Sequence, residues 1–101
     1  MVVHIVMWRL QESALDQDKA ANARLIRDKL EALRGRIPGL RRIEVGIDCS
    51  ASPASADIVL VTEFDSRAAL TAYQSHPEHK AVVDYVTRVV CERRVVDYET
   101  P

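Results

Sequence analysis

The chain has 101 residues, of which 48% are hydrophobic and 29% are charged, and its formal net charge is −1. This length supports one hydrophobic core, so we expect a single domain over residues 1–101, and the composition is that of a compact protein rather than a disordered one. The balanced charge excludes a protein whose main partner is nucleic acid, because binding a phosphate backbone requires a concentrated excess of Lys and Arg.

Two further classes are disfavoured by the cysteines and by the apolar segments. Cys49 and Cys91 are the only cysteines, and two unclustered cysteines make neither a disulfide framework nor a metal knuckle. Residues 1–8 are apolar but lack a basic leader and a cleavage site, and no segment reaches the ~18 apolar residues of a membrane span. We therefore expect a cytoplasmic protein that does not bind membranes.

The first predicted element is a strand over residues 2–9, which are rich in Val, Ile, Met and Trp. Alternate side chains of a strand point to opposite faces of its sheet. Both faces of this strand are apolar, with His4, Val6 and Trp8 on one face and Val3, Ile5 and Met7 on the other.

A helix is predicted to follow, from Ser13 as its N-cap to about Arg34, with Gly35 as its stop. Its apolar positions recur with helical spacing at Ala23, Ile26, Leu30 and Leu33.

The next segments favour two strands. Residues 37–39 (Ile-Pro-Gly) form a turn, and residues 40–48 then alternate as a half-buried strand does. Small and polar residues 50–56 indicate a loop. Residues 57–64 (DIVLVTEF) are a continuous apolar strand.

Two helical stripes follow, separated at His76-Pro77. The first contains Ser66, Ala69, Leu70 and Tyr73, and the second contains His79, Val82, Val83 and Val86. Side chains at these spacings share one helix face that turns toward a core. We therefore expect Tyr73 and His79 to point inward and to share one enclosed space. A last strand is predicted over residues 89–98, interrupted by the charged residues 92–94.

The order β-α-β-β-α-β predicts an α+β, ferredoxin-like domain with a four-stranded antiparallel sheet and both helices on one face. The helices can cover only one face, yet the strands over residues 2–9 and 57–64 are apolar on both. A second copy packed sheet to sheet about a two-fold axis covers the other face, so we predict a homodimer. RNA-recognition modules share this order, but they display aromatic side chains on the open sheet face, where bases stack. Residues 58–64 have a single aromatic side chain, the terminal Phe64.

His79 is the candidate general base, since a histidine near its usual pKa can take a proton from a carbon acid. Tyr73 is the candidate donor to a developing enolate oxygen, or the residue that orients the imidazole. The alternative for both is a structural role in the core. Buried His4 either lines a pocket or packs.

His76 precedes a proline suited to the first helical position, so His76 or Ser75 is the expected helix cap, and Ser75 with Glu78 fits a capping box. A contact between His76 and substrate is the alternative. No cofactor is expected, and no metal site, because no carboxylate or cysteine cluster completes a shell around His76, Glu78 and His79.

The chain resembles the stress-responsive A/B barrel (Dabb) domains of the dimeric α+β barrel superfamily over essentially its whole length. The residues that carry the resemblance are His4-Ile5-Val6, Ile37-Pro38-Gly39, Val45-Gly46, Glu63-Phe64, Ala69-Leu70-x-x-Tyr73-x-x-His76-Pro77-x-His79 and Val96-Asp97-Tyr98. The resemblance implies a ferredoxin-like subunit that pairs through its sheet.

One branch of this family, the plant olivetolic acid cyclases, closes a linear polyketide thioester by an aldol condensation without a cofactor. Similarity to that branch implies that Tyr73 and His79 are catalytic and that His4 lines the pocket. Asp57 stands where that branch has a pocket histidine, which makes Asp57 a candidate substrate-binding residue and alters that part of the site.

Three functions follow as hypotheses. The first is a protein with a pocket for a small hydrophobic or aromatic ligand, performing cofactor-free acid-base chemistry of the cyclase or isomerase kind. The second is a non-catalytic ligand-binding or stress-related structural dimer. The third is the haem-linked or monooxygenase chemistry of other members of the superfamily.

Overall fold

The structure is a computed structural model that describes all of residues 1–101. Its strands are β1 (Val2–Leu10), β2 (Ser13–Ala14), β3 (Gln17–Asp18), β4 (Leu40–Ile47), β5 (Ile58–Phe64) and β6 (Val90–Glu99), and its helices are α1 (Lys19–Glu31), α2 (Arg67–Ser75) and α3 (Pro77–Val89). No helix combines the length and the apolar character needed to cross a membrane.

Four of the strands form one antiparallel sheet in the order β4-β5-β1-β6. The helices pack on one face of this sheet, and β2 and β3 form a separate small hairpin. The predicted β-α-β-β-α-β order and ferredoxin-like fold are therefore confirmed, with the second helix divided into α2 and α3.

The helix-facing side of the sheet forms the floor of the core. In β1 this side carries His4, Val6 and Trp8, all of them buried. His4 lies opposite Thr62 of β5 and Asp97 of β6. Opposed residues of an antiparallel pair point to the same face, so this register brings side chains from three strands together beneath the helices.

The first helix begins later than predicted. Ser13 is not its N-cap; residues 13–18 form the β2–β3 hairpin, whose turn places Leu15 and Asp16 at φ of 52° and 62°. Asp18 is the N-cap, and its carboxylate accepts a hydrogen bond of 2.8 Å from the Ala21 amide. The predicted helical spacing is correct from Ala23 onward. The hairpin was not predicted, because non-glycine residues rarely adopt positive φ and nothing in residues 13–18 signals it.

Strand β6 is continuous through residues 92–94, where the sequence predicted an interruption. Arg93 and Arg94 pair in register with Trp8 and Met7 of β1. Because β6 is an edge strand, its charged side chains stay in contact with solvent and do not disfavour the strand.

The other face of the sheet has an apolar centre that is not covered by any element of this chain. It carries Ile5, Met7 and Val61 in the centre and Val96 and Tyr98 on the edge strand. Met7, Val96 and Tyr98 are 42%, 57% and 47% exposed. The predicted two-faced character of β1 is therefore confirmed.

Gly39 connects the turn after α1 to the sheet, and its surroundings predict how an added side chain would change the stability. Its φ is +83°, and an added Cβ would lie 2.6 Å from the Ala69 Cβ of α2, whereas Gly35 has a φ of +77° with nothing within 4 Å. We expect Gly35→Ala to cost about 1 kcal/mol of unfolding free energy from backbone strain, and Gly39→Ala at least about 2 kcal/mol from strain plus overpacking. Urea denaturation measures both, and equal losses would contradict the close approach of the turn to α2.

Candidate functional site

The break between α2 and α3 orients the predicted site residues. Ser66 caps α2 by accepting a hydrogen bond from the Ala69 amide at 3.1 Å. The chain is extended at His76, with φ of −67° and ψ of 133°, and Pro77 then occupies the first turn of α3. Proline removes an amide that would have no helical partner and disfavours the helical conformation of the residue before it, so the break is local in origin.

His76 is a helix cap. Its Nδ1 accepts a hydrogen bond from the Glu78 amide at 3.1 Å, which confirms one of the two predicted caps. The predicted Ser75–Glu78 capping box is wrong, because Ser75 Oγ donates back to the Ala72 carbonyl at 3.2 Å and the Glu78 carboxylate pairs with Arg36 at 2.6 Å. The structure does not bring His76 to the cavity described below.

Tyr73 and His79 meet across the break, as the two helical stripes predicted. Their ring centroids are 4.0 Å apart at an interplanar angle of 36°. Tyr73 is fully buried, with its ring also 4.9 Å from that of Phe64 and 6.4 Å from that of His4. The rings of Phe64, His4 and His79 therefore surround the phenol and hold it in one place.

A partly enclosed cavity of about 280 Å³ lies between the sheet, α1 and α3. Its wall is mostly apolar, formed by Val6, Trp8, Leu30, Leu60, Val82, Val83, Val86 and Val90, and its polar side chains are His4, Gln74, His79, Thr87 and Arg93. Exposed Gln74, Val83, Thr87 and Arg93 mark its mouth. Tyr73 does not line it, and lies behind His79 and His4.

Two buried polar atoms of the Tyr73–His79 pair have no hydrogen-bond partner, the Tyr73 hydroxyl and His79 Nδ1. Leaving such a group unpaired costs about 1–3 kcal/mol, so orphaned groups are rare and call for an explanation. The His79 ring lines the cavity, whereas its Nδ1 is buried.

Burial shifts both groups away from their charged forms. Desolvation raises the pKa of Tyr73 above its ordinary value of 10.0, so the phenol stays protonated. Desolvation is also the largest cause that lowers the pKa of His79 below 6.5, and the charges of His4, His76 and Arg93 lower this pKa further. The Gln74 carbonyl partly opposes the decrease, although it forms no hydrogen bond with Nδ1. The imidazole is therefore neutral at pH 7 and offers a lone pair.

His4 is held by a partner that the sequence did not identify. Its Nδ1 lies 2.5 Å from Asp97 Oδ1, with the His4 side chain 4% and the Asp97 side chain 44% exposed. A carboxylate at Nδ1 fixes the proton there and leaves Nε2 free. The two residues are 93 positions apart in sequence, and only the register of β1 against β6 reveals the pair.

Asp57 is not brought to the cavity. Its carboxylate accepts a hydrogen bond from the Leu10 amide at 2.7 Å and lies 3.5 Å from Lys19 Nζ, so it ties the end of β1 to the start of α1. Of the five predicted site residues, the structure brings His4, Tyr73 and His79 together and leaves Asp57 and His76 outside. Gln74 and Arg93 also line the cavity, and neither was predicted. No three metal-ligating side chains converge anywhere in the structure.

The lowered pKa of His79 predicts how stability depends on pH. Well above pH 6.5 the imidazole is neutral in both the folded and unfolded states. As pH falls below 6.5, the unfolded chain takes up a proton that the folded protein resists, so the free energy of unfolding declines until the folded pKa is passed. We expect a shallower decline for His79→Gln in urea denaturation at a fixed protein concentration. Identical slopes would show that His79 is not desolvated.

The sequence profile of the Stress responsive A/B Barrel Domain family, Dabb, matches residues 2–100 of the chain. Among curated proteins, none matches this chain in sequence.

Solved structures with the same fold include a dimeric protein of unknown function with a ferredoxin-like fold from Bacteroides fragilis. It is 32% identical, the match covers 98% of this chain and 95% of that one, and the TM-score is 0.84. A Dabb family protein from Mesorhizobium loti is 22% identical over 99% and 96% of the two chains, with a TM-score of 0.77. The hydroxynitrile lyase from Passiflora edulis is 18% identical over 96% and 90%, with a TM-score of 0.76.

Proposed function

The chain belongs to the stress responsive A/B barrel (Dabb) family, and from that membership we propose a homodimeric protein that binds a small apolar molecule and performs cofactor-free acid-base chemistry on it. The fold alone does not select a reaction, since unrelated functions share one fold. The observation that carries the proposal is a neutral imidazole on the wall of an apolar cavity, stacked on a phenol whose hydroxyl has no partner.

In this proposal, His79 Nε2 is the general base. It takes a proton from a carbon that is flanked by carbonyl groups, and the electron pair of that C–H bond moves onto the carbonyl oxygen to form an enolate. In a cyclisation the enolate carbon then attacks a second carbonyl of the same molecule, and in an isomerisation a different carbon is reprotonated. The imidazolium returns the proton in either case, so the enzyme ends as it began.

Tyr73 and the His4–Asp97 pair serve as supports. The Tyr73 ring fixes the plane of the imidazole. Because Tyr73 does not line the cavity, its hydroxyl contacts a ligand through an ordered water. His4, oriented by Asp97, presents its Nε2 as a second polar contact for the ligand. Unsatisfied polar groups are expected where a protein sacrifices stability for function.

The homodimer forms through the uncovered sheet face. Exposed Met7, Val96 and Tyr98 make an apolar surface that a second copy buries about a two-fold axis. The Bacteroides fragilis relative, 32% identical, is described as dimeric, which supports this assembly.

A thermal-shift screen against aromatic acids, β-keto acids, lactones and phenols tests whether the cavity is a ligand site. A binder at 100 times its dissociation constant adds about 2.7 kcal/mol, which is several degrees for a small domain. We expect His79→Gln to lose the shift, and His76→Asn, which keeps a capping side chain outside the cavity, to retain it. Equal shifts in all three proteins, or none in any of them, would refute the site.

Catalysis is separated from simple binding by proton exchange. For a β-keto ligand in D₂O, wild type should speed deuterium incorporation at the carbon between the carbonyl groups, and His79→Gln should not. Binding without exchange would identify the protein as a non-catalytic binding dimer, which is the second function considered from the sequence.

A further inference from the structure

The cavity has a cationic group at its mouth. Arg93 of β6 lies opposite Trp8 of β1, and residues opposed in this way point to the same face of a sheet. Trp8 is part of the cavity wall, and Arg93 is an exposed residue of the same wall. The register therefore places a guanidinium beside the entrance, on the side that faces the helices.

This guanidinium has no carboxylate partner. Several surface arginines are neutralised by a carboxylate: Arg36 by Glu78 at 2.6 Å, Arg41 by Asp65 at 2.6 Å, and the neighbouring Arg94 by Glu92 at 3.4 Å. No Asp or Glu oxygen lies within the 4.0 Å of an ion pair from Arg93. A guanidinium presents a planar fork of donors that matches a carboxylate, so an unpaired one at a cavity mouth suits an anionic ligand.

The remaining wall restricts the ligand further. Arg93 is the single Lys or Arg side chain that lines the cavity, no Asp or Glu lines it, and most of the wall is apolar. One monovalent anionic group is complementary to one guanidinium, whereas a phosphate is usually met by several donors or cations. The apolar body of such a ligand would lie along Val82 and Val86 toward His79.

We propose that the ligand is a small apolar carboxylic acid, held at the cavity mouth by Arg93, which is then the residue that selects an acid over a neutral analogue. This inference rests on the proposed function, because it requires the cavity to be the ligand site.

Matched acid and amide probes test the inference: 3-phenylpropanoate against 3-phenylpropanamide, and hexanoate against hexanamide. Each is titrated calorimetrically at neutral pH into wild type, Arg93→Gln and Arg88→Gln. Arg88 is the control because it pairs with Asp84 on α3 and does not line the cavity. We expect wild type and Arg88→Gln to bind the acids about tenfold more tightly than the amides, and Arg93→Gln to lose this preference.

The outcomes separate the two proposals. If acids and amides bind wild type equally, or if the preference survives Arg93→Gln, the role of Arg93 is refuted while the cavity remains a ligand site. If no acid and no amide binds wild type at millimolar concentration, both the inference and the proposed ligand site fail. A preference that also weakens at high salt would support a guanidinium close to solvent.

Discussion

Replacing Tyr73 with alanine is expected to lower the free energy of unfolding by about 3–5 kcal/mol. The side chain is fully buried and is in contact with the rings of Phe64 and His79, so truncation leaves a cavity that rigid neighbours cannot fill. Urea denaturation at a fixed protein concentration measures the loss. A loss below about 1 kcal/mol would mean that the phenol is not part of the core.

Tyr73→Phe is the matched variant, and it separates stability from function. It keeps the ring and removes a hydroxyl that has no hydrogen-bond partner, so we expect the free energy of unfolding to stay the same or to rise by about 1 kcal/mol. Ligand affinity or turnover should nevertheless fall about tenfold, because the water that joins the ligand to the hydroxyl loses its donor. Reduced stability with unchanged binding would assign the hydroxyl a purely structural role.

Val96→Asp is expected to convert the proposed homodimer into a monomer. Val96 is 57% exposed in the single chain, so the substitution leaves the fold of one subunit intact. At a two-fold interface it buries two carboxylates without partners, and each costs several kcal/mol. Sedimentation equilibrium should show the dissociation constant rising by a factor of at least about 100.

Val95→Asp is the matched control for the dimer. Val95 is 44% exposed, but it lies opposite Val6 and therefore faces the helices rather than the uncovered sheet face. The Val95→Asp variant should therefore remain a dimer. A monomeric wild type, or a Val95→Asp variant that dissociates while Val96→Asp does not, would contradict dimerisation through the sheet.

The features that could be predicted from sequence are those fixed by local rules. The alternation of β1, with His4 and Trp8 on one face and Ile5 and Met7 on the other, follows from strand geometry. The break at His76 follows from the conformational restriction that Pro77 imposes. Helical spacing on either side of that break was enough to turn Tyr73 and His79 inward and toward each other.

The features that were missed depend on strand register and on unusual backbone conformations. The His4–Asp97 pair and the placement of Arg93 beside Trp8 exist because of how β6 pairs with β1. A shift of one residue would send both side chains to the other face, and nothing in the sequence of β6 sets that register by itself. The late start of α1 has a different cause, the positive φ at Leu15 and Asp16.

Nuclear magnetic resonance of the histidine side chains tests the central claim most directly, since the chain has three histidines with three different environments. Their ring signals, assigned with His→Gln variants, would be followed through a pH titration with and without the tightest binder from the thermal-shift screen. We predict that the pKa of His79 lies below 6.5, and that the binder shifts the signals of His79 and His4 but not that of His76. A binder that moves His76 alone, or a His79 that titrates at its ordinary pKa, would contradict the account.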